Sequence, residues 1–264
     1  MTRYALLVEL EVFSEVSIGP PLIGPASPPI PAPPPTTLLG TLAYPYLRER
    51  GVPDVVYVDG KPCSPAVKMI EKVYYASAGF YGRVEQRTLE RVIQTFYLRK
   101  QNLLDVKKLW GVAQRGFTSY ADDRLYLFYI VSDFELAKYA YGITRVGRKE
   151  SIVVVRNVVV KPLEELVSSE RDGSTIFYTP KDCAKPCEGS FKFKMSKLYK
   201  DNLCKAVKPE ILEEYYVPGF DGMRCRASEK GVFLKLPVDE VEDDVLRDYP
   251  MILIPKDVLG VQVA

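Results

Sequence analysis

No histidine occurs anywhere in the 264 residues, so the side chain that most often serves as a general base near neutral pH is missing. Ser-His-Asp and Cys-His mechanisms and His-ligated metal centres are thereby excluded. Asp122-Asp123 and Asp243-Asp244 are paired acids of the type that can hold magnesium for phosphodiester cleavage. Adjacent acids on a turn or a solvated helix face are far commoner than metal sites, however. A lysine–tyrosine site could cut RNA through the RNA's own 2′-hydroxyl, but nothing in the spacing singles out such a pair. The expectation is no catalytic residue, no metal and no cofactor.

Cys183, Cys187, Cys204 and Cys225 could offer four thiolates to zinc, yet they lack a second short knuckle. Buried or free thiols are the ordinary state of cysteines inside cells, and disulfides become plausible in a hyperthermophile. The scarcity of Asn (three) and Gln (five) mildly favours a hot habitat.

The stretch "YGITRVGRKES", residues 141–151, is better suited to binding than to bond-breaking. Gly142 and Gly147 bracket a short loop that carries Arg145, Arg148 and Lys149. Guanidinium groups beside exposed backbone amides make a phosphate cradle, although a solvated surface turn has the same composition. A formal net charge of +2 does not by itself announce a nucleic-acid partner. Charge is uneven along the chain: Arg83 to Arg124 holds nine Lys or Arg against five acids, a surplus of 9 − 5 = 4.

The elements that must position these residues begin with Tyr4–Phe13, where Tyr4, Leu6, Val8, Leu10 and Val12 alternate with Glu9 and Glu11 as in a half-buried strand. Nine prolines between Pro20 and Pro35 make a stiff connection and exclude a membrane span from the uncharged run Val16–Leu47. The N-terminus does not resemble a signal peptide, and the chain reads as cytoplasmic. Thr36 or Thr37 can cap a helix whose apolar stripe is Leu38, Leu39, Leu42, Ala43, Tyr46 and Leu47. In that helix Gly40 allows close approach of another backbone, and Pro45 should kink or shorten the last turn.

Residues 52–120 are ambiguous between helix and strand. "RLYLFYIV" (124–131) reads as a buried strand, "DFELAKYAYG" as a short helix capped by Asp133, and "SIVVVRNVVV" (151–160) as another strand. With one strand placed in 52–120 the order is β-α-β-β-α-β, the ferredoxin-like, RNA-recognition-type layout. After Val160, "STIFYTP", "SFKFKMS" and "GVFLKLP" are short strand-like pieces between Gly, Pro and charged turns, which predicts a smaller, mainly β domain over 161–264. The fold class is therefore α+β.

"PPPTTLLGTLAYPYL" after a first strand and "RVGRKESIVVV" entering the last strand of the same domain together resemble the CRISPR-associated RAMP proteins, specifically the Cas-five family of the archaeal subtype I-A Cascade complex. The resemblance implies a ferredoxin-like palm over 1–160 and a basic thumb inserted within about 97–123. It also implies a non-catalytic subunit that grips the 5′ handle of a crRNA beside Cas-seven-type backbone subunits, meeting target DNA only indirectly. The implied RNA contacts are Arg145, Gly147, Arg148 and Lys149 in the loop, and Thr36, Thr37 and Gly40 at the helix start. In the thumb they are Arg99, Lys100, Lys107, Lys108, Arg115 and Tyr120. Subtype I-C relatives cleave pre-crRNA with a histidine-containing arrangement that this chain lacks. A crRNA-processing endoribonuclease and a bridging subunit without RNA contacts are the alternatives. The cysteines, lying mostly beyond the palm, are expected to be dispensable for RNA binding.

Overall fold

A computed structural model of the chain describes residues 2–18, 26–27, 29–94, 110–204, 211–241 and 243–260. The chain is mixed α/β, mostly strands with few helices. Its central sheet contains β1 (Tyr4–Val12), β5 (Val73–Gly79), β8 (Arg124–Val131) and β9 (Val153–Pro162), in the order β5-β8-β1-β9. Every neighbouring pair is antiparallel, with Leu6 opposite Tyr129 on one side and Val160 on the other. β1 and β5 are connected through the helix α1 (Pro35–Glu49), and β8 and β9 through a 3-10 turn and a one-turn helix, Ala137–Ala140. The strand within the ambiguous region is thus β5. Asp133 caps the one-turn segment as expected, accepting from the Glu135 amide at 2.9 Å.

β1 departs from the half-buried expectation, because both of its faces are covered. Leu6, Val8 and Leu10 pack with Leu38, Leu39 and Leu42 of α1, while Ala5 and Leu7 on the other face meet Phe177, Leu234, Ile252 and Ile254. Leu234 comes from β15 (Gly231–Lys235), Ile252 and Ile254 from β16 (Met251–Pro255), and Phe177 from the segment just before β11 (Thr179–Pro180). β12 (Ser190–Ser196) and β13 (Leu212–Pro218) complete a three-stranded sheet with β11, and Met195, Tyr215 and Val217 from it join the α1 side. Glu9 is buried at 7% exposure and is ion-paired with Arg124, which makes burial of its charge tolerable.

The proline run is held by hydroxyl groups. Prolines donate no backbone N–H, so the segment cannot close its own ladder, but its carbonyls still need partners. Thr118 Oγ1 donates to Ile30 (2.8 Å), Tyr120 Oη to Pro31 (3.1 Å), Tyr178 Oη to Pro33 (3.0 Å) and Tyr129 Oη to Leu38 (3.0 Å). This run delivers α1 in a fixed place. Pro34 occupies the cap position and Pro35 the first helical turn, and no side chain caps the helix, contrary to the role expected of Thr36 or Thr37. A proline at the start of a helix has the required φ and no amide to satisfy. Pro45 does not end the helix, which runs to Glu49 because its apolar stripe is buried on both sides of the proline.

Between β5 and β8 a long hairpin is inserted, β6 (Val84–Gln94) against β7 (Trp110–Tyr120), which leaves the central sheet after β5 and returns at β8. β2 (Ala26–Ser27) adds to β7 in parallel. A small hairpin of β3 (Val56–Val58) and β4 (Lys61–Cys63) follows α1. Asp59 and Gly60, both at positive φ, make its turn.

The cysteines form disulfides Cys63–Cys204 and Cys187–Cys225, and Cys183 is a buried free thiol. Four of the five sulfurs are thus paired, and a four-thiolate zinc site is not what the fold builds. Among the described residues no helix is long and apolar enough to cross a membrane.

Candidate nucleic-acid interface

Helix α1 buries one stripe and bares another. Leu38, Leu39, Leu42, Ala43 and Leu47 face the core, so Thr37, Gly40, Tyr44 and Arg48, spaced by three and four residues, share a different, less buried face, with buried Thr41 at its edge. That second stripe is one wall of a groove of about 520 Å³, which Arg145, Gly147 and Arg148 also line. The two sequence motifs, about a hundred residues apart, therefore meet in one groove. Ser64, Pro65 and Ala66, which follow β4, add a further wall, and Ile18, Leu47 and Val52 give it apolar surface.

The loop is held by backbone geometry. The amide of Val146 donates to Ser151 (3.2 Å) and that of Arg148 to Ser17 (3.0 Å). Gly147 sits at φ +88°, and a Cβ there would lie 2.7 Å from the Ser17 carbonyl oxygen. Ser17 is itself pinned, its amide donating to Ser151 Oγ (2.7 Å) and its hydroxyl to Gly116 in β7 (3.0 Å). Arg145 lies over the Tyr44 ring, its guanidinium carbon 4.1 Å from the centroid, a contact that couples the loop to the helix and holds the guanidinium plane. The groove lining carries three arginines, Arg48, Arg145 and Arg148, against one acid, Asp54. That surplus with aromatic and apolar walls suits a phosphate-bearing ligand with planar groups.

The expected contacts divide. Arg145, Gly147, Arg148, Thr37 and Gly40 line the groove. Thr36 is half-buried beside it, and Lys149 is exposed on the loop outside the lining. Gly40 has no atom within 4 Å of where a Cβ would stand, so it does not serve close packing of another backbone but leaves the helix surface bare. Tyr120 is corrected: it is 4% exposed, and its hydroxyl is committed to Pro31, so it cannot stack on a base. Arg115 is ion-paired with Glu150 at 2.9 Å, which neutralises its charge. The Glu150 carboxyl is held below its usual value by a hydrogen bond to its own backbone and by Arg115. Arg99, Lys100, Lys107 and Lys108 lie outside the described residues. Tyr44, Arg48 and Asp54 escaped the sequence reading. The signal was the polar and small stripe at helical spacing, overshadowed by the leucines beside it.

Of the acid pairs, Asp243 and Asp244 are engaged, Asp244 with Arg247 at 2.9 Å, while Asp122 and Asp123 are exposed on a turn. Asp243 caps a short helix through the Val245 amide (2.9 Å) and accepts from Tyr126 Oη (2.6 Å). Among the described residues no group of three His, Cys, Asp or Glu is placed to hold a metal ion.

No protein-family model matches the chain. Among curated proteins it is 30% identical over 147 residues to the CRISPR system aCascade subunit Cas5 1 of Saccharolobus solfataricus, covering 54% of this chain and 60% of that one. It is 28% identical over 131 residues to the CRISPR-associated protein Cas5 3 of the same organism, covering 48% and 53%. Over these stretches the chain is similar to Cas5 proteins. It spans somewhat more than half the length of these curated Cas5 relatives. Among solved structures, a CRISPR protein from Archaeoglobus fulgidus superposes with a TM-score of 0.53 at 17% identity, covering 89% of this chain and 96% of that chain. At that identity the likeness concerns the fold.

Proposed function

We propose that this chain is a Cas5-type, crRNA-associated subunit of a Cascade-type complex, that it grips the 5′ handle of the guide RNA in the α1 groove, and that it does not cut RNA. In this reading the four-stranded sheet, with its 2-3-1-4 strand order in chain sequence, is a ferredoxin-like palm. The β6–β7 hairpin is its thumb, reaching toward a Cas-seven-type backbone subunit, and target DNA is met only through the assembled complex. The observation that carries the reading is the convergence of the two motifs on one arginine-lined groove. Phosphate contacts by Arg48, Arg145 and Arg148 would position the RNA without reading its bases. The lack of histidine and the engagement of the Asp243 carboxylate by a cap and a tyrosine support binding rather than cutting.

The test is a filter-binding titration of labelled repeat-derived RNA over a range of salt. The triple substitution R48A/R145A/R148A should weaken binding to all handle sequences by similar amounts. The slope of log affinity against log salt should fall by roughly 0.7 per lost contact, or about 2 in total. A folded triple variant with unchanged affinity and slope sinks the groove as the RNA site. Incubation of wild type with repeat RNA, with and without EDTA, should give no discrete product, and a product of defined length would establish the endoribonuclease instead.

A further inference from the structure

The groove wall after β4 has an unusual attachment. After Val52, which packs against the core, the chain runs out into the β3–β4 hairpin, whose two strands form a sheet of their own that is joined to another segment by a bridge at Cys63. Tyr57 at its end is 74% exposed. The excursion returns at Cys63, and there it is tied down: Cys63 bridges Cys204 both as a β-bridge and as a disulfide, and the next amide, Ser64, donates to the Leu203 carbonyl at 2.7 Å. Ser64, Pro65 and Ala66 then form the groove wall. Ala66, Val67 and Met69 are anchored in the core, but Ser64 and Pro65 are not buried. The disulfide thus ties this rim to a segment 141 residues away, beside the Ser64–Leu203 hydrogen bond and the core anchors that follow.

We propose that Cys63–Cys204 is a redox-operated brace of the RNA groove. This runs against the expectation that the cysteines are dispensable for RNA binding, and its RNA half rests on the function proposed above. In the oxidised protein the rim is held where α1 and the arginine loop need it. A dithiol reductant opens the link by attack of its thiolate on the half-buried Cys204 sulfur, with Cys63 leaving as a thiolate and taking a proton. The reductant's second thiol then displaces Cys204 and leaves as a cyclic disulfide, so two electrons and two protons pass to the protein. Released, the rim samples positions that do not fit RNA, and each binding event must reorder it. Cys187–Cys225 is an internal control, because it lies in a separate buried cluster with Cys183, Phe233 and Leu253 and lines no part of the groove.

The experiment compares oxidised and dithiothreitol-reduced protein, with thiols counted by alkylation in each state. Two readouts are taken: RNA affinity by filter binding, and amide hydrogen exchange over Lys61–Ala66 without RNA. Reduction should weaken RNA binding about tenfold and speed exchange at Ser64. C63S/C204S should bind like reduced wild type in both conditions, and C187A/C225A should keep the redox response. Unchanged affinity in a fully reduced wild type, or unchanged Ser64 exchange, overturns the brace. If C63S/C204S does not fold, the two redox states of wild type decide alone. Oxidised protein that binds no RNA defeats the function reading and the RNA half of this proposal together, while the exchange readout still judges the brace.

Discussion

A methyl group added at Gly40 meets open groove, whereas one added at Gly147 meets the Ser17 carbonyl at 2.7 Å with the backbone already at φ +88°. The two glycines therefore respond oppositely to substitution. Gly40→Ala should stabilise the protein by about 0.5–1 kcal/mol, since an exposed helical glycine costs that much in backbone entropy. Gly40→Phe, filling the groove, should leave the melting temperature near wild type and weaken RNA binding. Gly147→Ala should destabilise by about 1–3 kcal/mol, because a left-handed conformation and a backbone clash must both be relieved. Thermal melting of the three variants, with filter binding for the first two, separates these outcomes. A Gly40→Phe variant with full affinity would show that RNA does not use the helix stripe.

From Ile30 to Pro33 the proline segment makes no ladder, and three hydroxyls hold it, from Thr118 and Tyr120 of β7 and from the strand-flanking Tyr178, while Tyr129 of β8 reaches Leu38 in α1. Removing one donor leaves a buried carbonyl unpaired, which costs about 1–3 kcal/mol. Tyr178→Phe and Tyr120→Phe should each lower the unfolding free energy by an amount in that range, seen as a lower urea midpoint with the slope of the transition unchanged. Because Thr118 and Tyr120 belong to the hairpin arm β7, this clamp also links hairpin to helix. Ser17 extends the link to the arginine loop through Gly116 and the Arg148 amide. A midpoint unmoved by either substitution would mean that the hydroxyls merely accompany a segment held by its apolar packing.

At the scale of the whole molecule, the central sheet is a septum between two cores: α1 with residues of β12 and β13 on one face, β15 and β16 on the other. The burial this demands shows in the titrating groups. Desolvation pushes the Cys183 thiol from 9.0 up to about 12, so in the folded protein it stays protonated where the unfolded chain ionises. The unfolded state then binds fewer protons, and stability falls as pH rises from about 9, by up to about 1.4 kcal/mol per pH unit for this group. Burial likewise raises the Tyr120 and Tyr129 phenols, extending the loss to higher pH. Chemical denaturation between pH 8 and 10 should show this decline, and Cys183→Ala should flatten it. The folded oxidised protein should also resist alkylation at Cys183, because a buried, protonated thiol is a poor nucleophile.

From residue order alone one could read the β-α-β-β-α-β succession and the two motifs, because strands and helices of this kind are written in apolar periodicity and in proline and glycine placement. The loss of histidine chemistry was equally plain, since an absent side chain needs no fold to interpret. Which face of α1 would be bare was not legible: the leucines mark the buried stripe, and only the arrival of Arg145 and Arg148 beside Tyr44 and Arg48 makes the opposite stripe a groove. Tyr120 and Arg115 looked like thumb contacts, and the fold committed them to Pro31 and Glu150. Partners so distant in the chain leave no local pattern. For the same reason β1 read as half-buried until the C-terminal strands covered its second face, and the cysteine spacing was silent about a pairing that spans 141 residues. Local periodicity records what each segment requires, while the identity of the surface that meets it is a property of the closed chain.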